Sequence, residues 1–224
     1  MTKWILPLAL LVSAASYADC MSQPMEGSES HDNAKVFDSH ERNYREPALT
    51  ETGHLSVKGM QITGFDKNGL IKIQSAFNLM ESVSNSLEFK DRVINFKNDK
   101  GQRAFASNNG LTNEQIYAIY MSGKETLQQN TPGEMNFFLK QYNRWWSKVI
   151  GYTSADVNLI NVNYKFFKNY RPSDVAGNLT HEWTHKIGFD HASAAEHDSA
   201  PYAIGYIMDE LAEAVAAGKL ELHY

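Results

Sequence analysis

The chain has 224 residues, of which 42% are hydrophobic and 21% are charged, a balance typical of a folded globular protein rather than a disordered one. Its formal net charge of −5 gives no reason to expect a nucleic acid or an anionic membrane as a partner. A single cysteine, Cys20, excludes an internal disulfide, so the fold must be stabilised by its core.

The first residues follow the pattern of a secretory signal peptide. Lys3 gives a positive start, residues 5–12 form an apolar run, and the small residues before Ala18 suit cleavage after that position. The run is too short to span a bilayer as a helix, and no other stretch is long enough. We therefore expect a secreted or periplasmic protein that has no membrane anchor.

A polar segment without apolar periodicity follows over residues 19–52, and we interpret it as a tail or linker, with a short propeptide as the alternative. Cys20 lies in this segment. It could carry a lipid, although Asp19 fits a lipoprotein signal poorly, or it could supply a thiolate to a metal elsewhere in the chain. An ordinary tail residue is the favoured interpretation.

The folded domain is predicted to occupy residues 53–224 and to begin with a strand over 55–62, where apolar and polar residues alternate. Residues 66–69 read as a turn, and apolar residues at helical spacing predict a helix over 70–85. A second strand is expected around Val93, Ile94 and Phe96.

The middle of the chain continues with a short helix over 113–123, whose start is marked by the capping-box pair Thr112 and Gln115. Residues 135–150 are rich in aromatic side chains, including Trp145 and Trp146. Core packing is the default interpretation of these aromatics, and a stacked substrate site is the alternative. A further strand is predicted over 157–162.

A helix is predicted next, over residues 174–187. Pro172 can open it and Ser173 is an acceptable N-cap. Its apolar residues recur every three to four positions, which indicates one buried side. Gly177 lies inside this helix and either allows close packing or has no special role.

One segment of this helix, with the residues after it, carries the strongest functional pattern of the chain: His181, Glu182, His185, Gly188 and His191. Residues four apart share a helix face, so His181 and His185 can direct two ring nitrogens at one point. Gly188 can end the helix because glycine readily adopts a left-handed backbone, and His191 can then return as a third ligand. Three protein ligands with one open position are typical of a catalytic zinc.

Glu182 follows the first of these ligands and points about 100° away around the helix axis. It should border the metal without binding it, where it can accept a proton from a zinc-activated water and pass it to a leaving amine. Asp190, Glu196 and His197 are ligands by chemistry, but only His191 fits the spaced pattern. Asp190 is a candidate for orienting a neighbouring group instead. After a polar loop, a last helix is predicted over 207–217.

The motif His181-Glu182-x-x-His185-x-x-Gly188-x-x-His191, with a methionine downstream, resembles that of the metzincins, a clan of zinc metallopeptidases. The resemblance implies an α+β, zincin-like domain with a twisted, mainly parallel mixed sheet, an active-site helix and a C-terminal helix. It also implies Zn²⁺ bound by His181, His185 and His191, with Glu182 as the general acid/base.

By the same resemblance, Met208 is the candidate for the methionine turn beneath the metal, with an apolar residue at a helix start as the alternative. Several metzincins have a tyrosine two residues after that methionine, where this chain has Glu210. Tyr202 and Tyr206 precede Met208, so which tyrosine assists catalysis stays open.

The function expected from this pattern is a secreted zinc-dependent endopeptidase acting on a peptide or protein substrate. Two alternatives stay open. The first is a zinc-dependent amidase acting on cell-wall peptide, which would use the same motif. The second is a zincin-fold binding module without turnover, for which an intact Glu182 would have no purpose.

Overall fold

A computed structural model of the chain describes residues 53–126, 131–154, 157–193 and 195–224. The predicted signal peptide, the polar segment over 19–52 and Cys20 lie outside these ranges. Within them, none of the helices combines the length and the apolar character needed to cross a membrane.

The described residues form an α+β structure with a four-stranded mixed open sheet and six helices, which confirms the α+β class and the mixed sheet of the prediction. The strand order is β1-β2-β4-β3. The β1–β2 and β2–β4 pairs are parallel, and β3 at one edge is antiparallel to β4. The strands are β1 (Ser56–Thr63), β2 (Glu134–Tyr142), β3 (Gly151–Ser154) and β4 (Val157–Asn163). β1 and β4 match the strands predicted over 55–62 and 157–162.

Six helices surround this sheet, and the ones predicted over 70–85, 113–123, 174–187 and 207–217 are all present with shifted ends. They are α1 (Lys67–Ser84), α2 (Leu87–Ile94), α3 (Asn113–Ser122), α4 (Tyr164–Phe167), α5 (Pro172–Lys186) and α6 (Ala200–Ala216). The predicted capping box of α3 is formed, because the Thr112 hydroxyl and the Gln115 side chain each accept from the other residue's backbone N–H.

Two local predictions were wrong for the same reason, a helix start that was not recognised. The turn predicted over 66–69 is the first turn of α1, since the Asp66 carboxylate caps it by accepting from Gly69 N at 2.7 Å. The strand predicted around Val93 is α2, which Ser86 caps by accepting from Phe89 N. Phe89 and Val93 are four residues apart and both buried, a helical spacing.

The core lies between the sheet and helices α1 and α5. Along β2, the buried residues Met135, Phe137 and Leu139 alternate with more exposed ones, so they define one inward face. The ring of Phe137 packs on Phe77 of α1 at a centroid distance of 5.3 Å and on Trp183 of α5 at 5.5 Å. Both helices therefore cover the same face of the sheet.

α5 and α6 make the most extensive contact between any two helices in the described part of the chain, and glycines allow it. A methyl group added at Gly177 would lie 2.7 Å from Asp209 Cβ and 2.9 Å from the Gly205 carbonyl oxygen. One added at Gly205 would lie 3.1 Å from the Gly177 carbonyl oxygen and 3.2 Å from His181 Cβ. Of the two interpretations of Gly177, close packing is the one the structure supports.

The two tryptophans expected in the core are not there. Trp145 is 70% exposed and Trp146 is 82% exposed. Both lie in the connection from β2 to β3 rather than on a strand, so neither has an inward-facing position available. Core packing was therefore the wrong interpretation for these two residues.

Candidate metal centre

Helix α5 supplies the first two histidines, and its start is set by residues just before the predicted N-cap. Arg171 is the N-cap, Pro172 takes the first turn, and Asp174 accepts the Arg171 backbone N–H at 2.7 Å. Ser173, the predicted cap, is buried inside the helix. The helix ends at Lys186, and Gly188 follows with a φ of +97°, the left-handed conformation expected of it.

This local geometry brings the three predicted ligands together, since His181, His185 and His191 have ligand atoms within 4.8 Å of one another. The Nε2 atoms of His181 and His185 are 3.3 Å apart. Two nitrogens bound to one tetrahedral zinc at about 2.05 Å would be separated by about 3.3 Å. The three imidazoles thus fit a single metal ion, and the predicted convergence is confirmed.

The ring of His185 is oriented by a backbone group. Its Nδ1 donates to the carbonyl oxygen of Phe189 at 2.9 Å, which leaves Nε2 as the nitrogen with a free lone pair. Asp190, considered for this orienting role, has its Oδ1 3.6 Å from the same Nδ1, beyond hydrogen-bond distance, and its side chain is 89% exposed. The turn after the helix therefore fixes the ligand through its carbonyl.

The protein environment favours the neutral imidazoles that metals require. Burial lowers the pKa of His181 well below its usual value, and the neighbouring His185 and His191 lower it further. The pKa of His185 is also lowered, chiefly by burial and then by His191. A protonated imidazole has no free lone pair on either ring nitrogen, so the lowered pKa keeps one nitrogen of each ring able to bind a cation.

Tyr202, in the first turns of α6, packs against two of the three ligands. Its ring centroid is 4.6 Å from that of His181 and 4.7 Å from that of His191, and only 4% of the residue is exposed. Burial, together with the charge of Glu182, raises the pKa of Tyr202 to about 12, so the phenol stays protonated at neutral pH. The sequence left its role open, and the structure places it in the wall of the cluster.

Glu182 is buried between the histidine cluster and strand β3. Its exposure is 4%, and burial raises its pKa to about 8, an effect that a backbone hydrogen bond from Thr153 partly offsets. Gly151 of β3 leaves room for it, because a methyl group added there would lie 3.5 Å from Glu182 Oε1 and 3.1 Å from Asn178 Oδ1. The carboxylate thus lies beside an edge strand, on the residue that follows the ligand candidate His181.

The other residues with ligand chemistry lie outside the cluster. Glu196 accepts from the Ser107 hydroxyl at 2.8 Å and from Ala192 N at 2.7 Å, so it shapes the loop before α6. His197 Nδ1 lies 3.2 Å from the Tyr206 hydroxyl. Neither belongs to the group of ligand atoms that includes His191.

The methionine-turn expectation for Met208 is corrected by the structure. Met208 is fully buried in the middle of α6, which starts at Ala200 rather than near residue 207. Pro201 in the first turn was the signal for that earlier start. Met208 is therefore an apolar helix residue and forms no turn. Glu210 faces outward and pairs with Arg92.

Comparison of the chain with protein-family models, with curated proteins and with solved structures finds no match. The geometry of the histidine cluster and of Glu182 is therefore the basis for assigning a function.

Proposed function

We propose that this chain is an exported, zinc-dependent peptidase with a zincin-like fold. The observation that carries the proposal is the convergence of His181, His185 and His191, with two Nε2 atoms 3.3 Å apart. The three-histidine set with a carboxylate beside it supports a catalytic rather than a structural site, since structural zinc sites are closed by a fourth protein ligand.

Zinc suits this donor set better than the harder cations, because Mg²⁺ and Ca²⁺ prefer oxygen ligands whereas imidazole suits zinc. Zinc, when bound, supplies Lewis acidity that polarises a carbonyl and makes a water molecule more acidic. The residues His181, His185 and His191 would hold it, with Nε2 as the ligand atom of the first two.

Glu182 provides the proton transfers in this proposal. Burial raises the pKa of this carboxyl group toward neutral pH, which suits a group that must both accept and release a proton. A carboxylate oxygen of Glu182 accepts the proton of the attacking water. The same oxygen then delivers it to the amide nitrogen as the peptide bond breaks, which lets the amine leave uncharged.

Strand β3 supports a peptide as the substrate. It is an edge strand, so the outer backbone groups that do not bond to Glu182, as the Thr153 N–H does, can pair with an extended chain. Gly151 and Thr153 of this strand lie beside Glu182. A peptide paired along β3 would therefore run past the carboxylate and the histidine cluster.

The experiment compares Glu182→Gln with wild type in zinc content and in cleavage of a mixture of peptides. We expect the variant to keep about one zinc per chain and to lose about 10²–10⁴-fold in rate, the range for losing a general acid/base. Glu210→Gln, an exposed carboxylate of α6, is the matched control and should cleave normally. Wild-type rates in the Glu182 variant, or hydrolysis unaffected by a chelator, would refute the proposal.

A further inference from the structure

The connection between β2 and β3 presents two consecutive tryptophans to solvent. Residues 144–147, named here the Trp turn, are closed by a bond from Ser147 N to the Arg144 carbonyl oxygen at 3.1 Å. Trp145 and Trp146 take its two central positions, 70% and 82% exposed. Indole rings have an apolar body and one polar N–H, and tryptophans are therefore enriched at boundaries between an apolar phase and water, such as the surface of a membrane.

The Trp turn is held in place by a buried side chain. Asn163 is fully buried at the end of β4, and its amide accepts from Arg144 N and donates to the Arg144 carbonyl, both at 3.3 Å. The same amide donates to the Val149 carbonyl at 3.1 Å, and Lys165 Nζ donates to the Ser147 carbonyl at 3.0 Å. The protein therefore presents the two indoles on a fixed support.

These bonds also satisfy backbone groups that would be costly to bring into an apolar medium. The carbonyls of Arg144, Ser147 and Val149 all accept from within the protein, and the Val149 N–H donates to the Ser147 hydroxyl at 3.1 Å. Unsatisfied backbone groups oppose entry into lipid, so these internal bonds lower the cost of bringing the base of the turn, at Arg144, Ser147 and Val149, to the bilayer interface.

The charge around the Trp turn has the opposite sign to that of the chain. Residues 140–168 contain five basic residues and one acidic residue, whereas the whole chain has a net charge of −5. Arg144 and Lys148 are exposed on either side of the two tryptophans. The five basic residues are Lys140, Arg144, Lys148, Lys165 and Lys168.

We propose that the Trp turn docks on an anionic lipid bilayer, with Trp145 and Trp146 entering the interfacial region. Arg144 and Lys148 would meet the lipid head groups. Exposed indoles flanked by cations match the two attractions that hold a protein on such a surface, apolar insertion and charge. β3 starts at Gly151, shortly after the turn, so docking would bring the start of this edge strand near the membrane surface. The docking does not depend on that centre being catalytic.

Tryptophan fluorescence tests this directly. In a Trp4→Phe background of the full chain, the remaining tryptophans are Trp145, Trp146 and Trp183, and the last is fully buried. Vesicles of phosphatidylcholine mixed with phosphatidylglycerol should shift the emission to shorter wavelength, and spin-labelled lipids should quench it. This signal comes from the Trp turn whether or not the N-terminal apolar run also binds the vesicles.

Charge variants provide the second measurement. Each Lys or Arg near an anionic surface strengthens binding about fivefold, so replacing Arg144 and Lys148 together by glutamine should weaken partitioning about 30-fold. The control replaces Lys90 and Lys219, two exposed lysines outside residues 140–168, by glutamine, which changes the net charge by the same amount. Binding of this control should stay within about twofold of wild type.

Three results would overturn the proposal. The first is unchanged emission with anionic vesicles. The second is an equal response to vesicles of phosphatidylcholine alone, which would remove the role of charge. The third is a response to a soluble oligosaccharide such as chitotetraose and none to vesicles, which would assign the surface to a glycan.

Discussion

Replacing Gly177 by alanine tests the close packing of α5 on α6, and two opposing effects decide the result. Alanine favours a helix interior over glycine by about 1 kcal/mol. Against this, the new methyl would lie 2.7 Å from Asp209 Cβ and 2.9 Å from the Gly205 carbonyl oxygen, where ordinary contacts start at 3.4 Å. The helices must separate by about 0.7 Å to restore such contacts.

Overpacking of this kind typically costs about 1–3 kcal/mol, and the methyl's neighbours, a backbone carbonyl and a Cβ atom, cannot rotate away. After subtracting the helix gain of about 1 kcal/mol, we expect the Gly177→Ala variant to lose up to about 2 kcal/mol of unfolding free energy. Zinc affinity should fall as well. Gly205 packs on His181 and belongs to the same helix as Tyr202, so moving α6 disturbs two residues of the metal centre.

Urea unfolding measures the free energy, and competition with a chelator measures the zinc affinity. Gly53→Ala is the control, because a methyl added there meets nothing within 4 Å, and it should change neither quantity. If the Gly177 variant were instead more stable by about the helix gain of 1 kcal/mol, the two helices would have to pack less closely than described, and the reasoning would be refuted.

Three further predictions concern the metal and two buried charges. His185→Ala should reduce zinc from about one per chain to near zero by metal analysis, whereas His197→Ala, outside the cluster, should retain it. Lys186→Met removes the cation from a buried pair, with Nζ 3.1 Å from a Glu125 oxygen, and should lower the unfolding free energy in urea by about 3–5 kcal/mol. A loss under about 1 kcal/mol would show that Glu125 does not need this partner. Burial raises the pKa of Asp209 to about 7, so the native state retains a proton that the unfolded state releases, and stability falls as pH rises from about 4 to 7. Asp209→Asn should therefore match wild type near pH 4 and be more stable by up to about 4 kcal/mol near pH 8, since each unit of the rise in pKa corresponds to about 1.4 kcal/mol. A variant no more stable than wild type at pH 8 would show that the carboxyl is ionised in the native protein.

The sequence predicted the histidine cluster well because its geometry is local. His181 and His185 are one helical turn apart, and Gly188 needs a left-handed backbone to turn the chain back. These constraints act over eleven residues and depend little on the rest of the fold. The same holds for the α3 capping box, where Thr112 and Gln115 satisfy each other's backbone groups.

The errors arose where distant parts of the chain decide the outcome or where a helix start was overlooked. Val93 and Ile94 form a short apolar run whose type is set by the cap at Ser86 and by burial. For Trp145 and Trp146, composition alone favoured the core, but their place in a turn fixed by Asn163 keeps them outside. The hydrogen bonds between Asn163 and Arg144 join residues far apart in the sequence, and the spacing of apolar residues along the chain cannot predict them.

The position of Tyr202 links these errors to the organisation of the metal centre. Because α6 starts at Ala200, Tyr202 falls in its first turns and its ring packs on His181 and His191, while Met208 is carried into the core. Tyr202 and α6 thus close one side of the cluster, and Glu182 with β3 borders another. His181 is 5% exposed, whereas the His185 side chain is 15% exposed and His191 is half-buried. Burial therefore decreases from the helix toward the turn after Gly188, so the side of the cluster at His191 is the more accessible one.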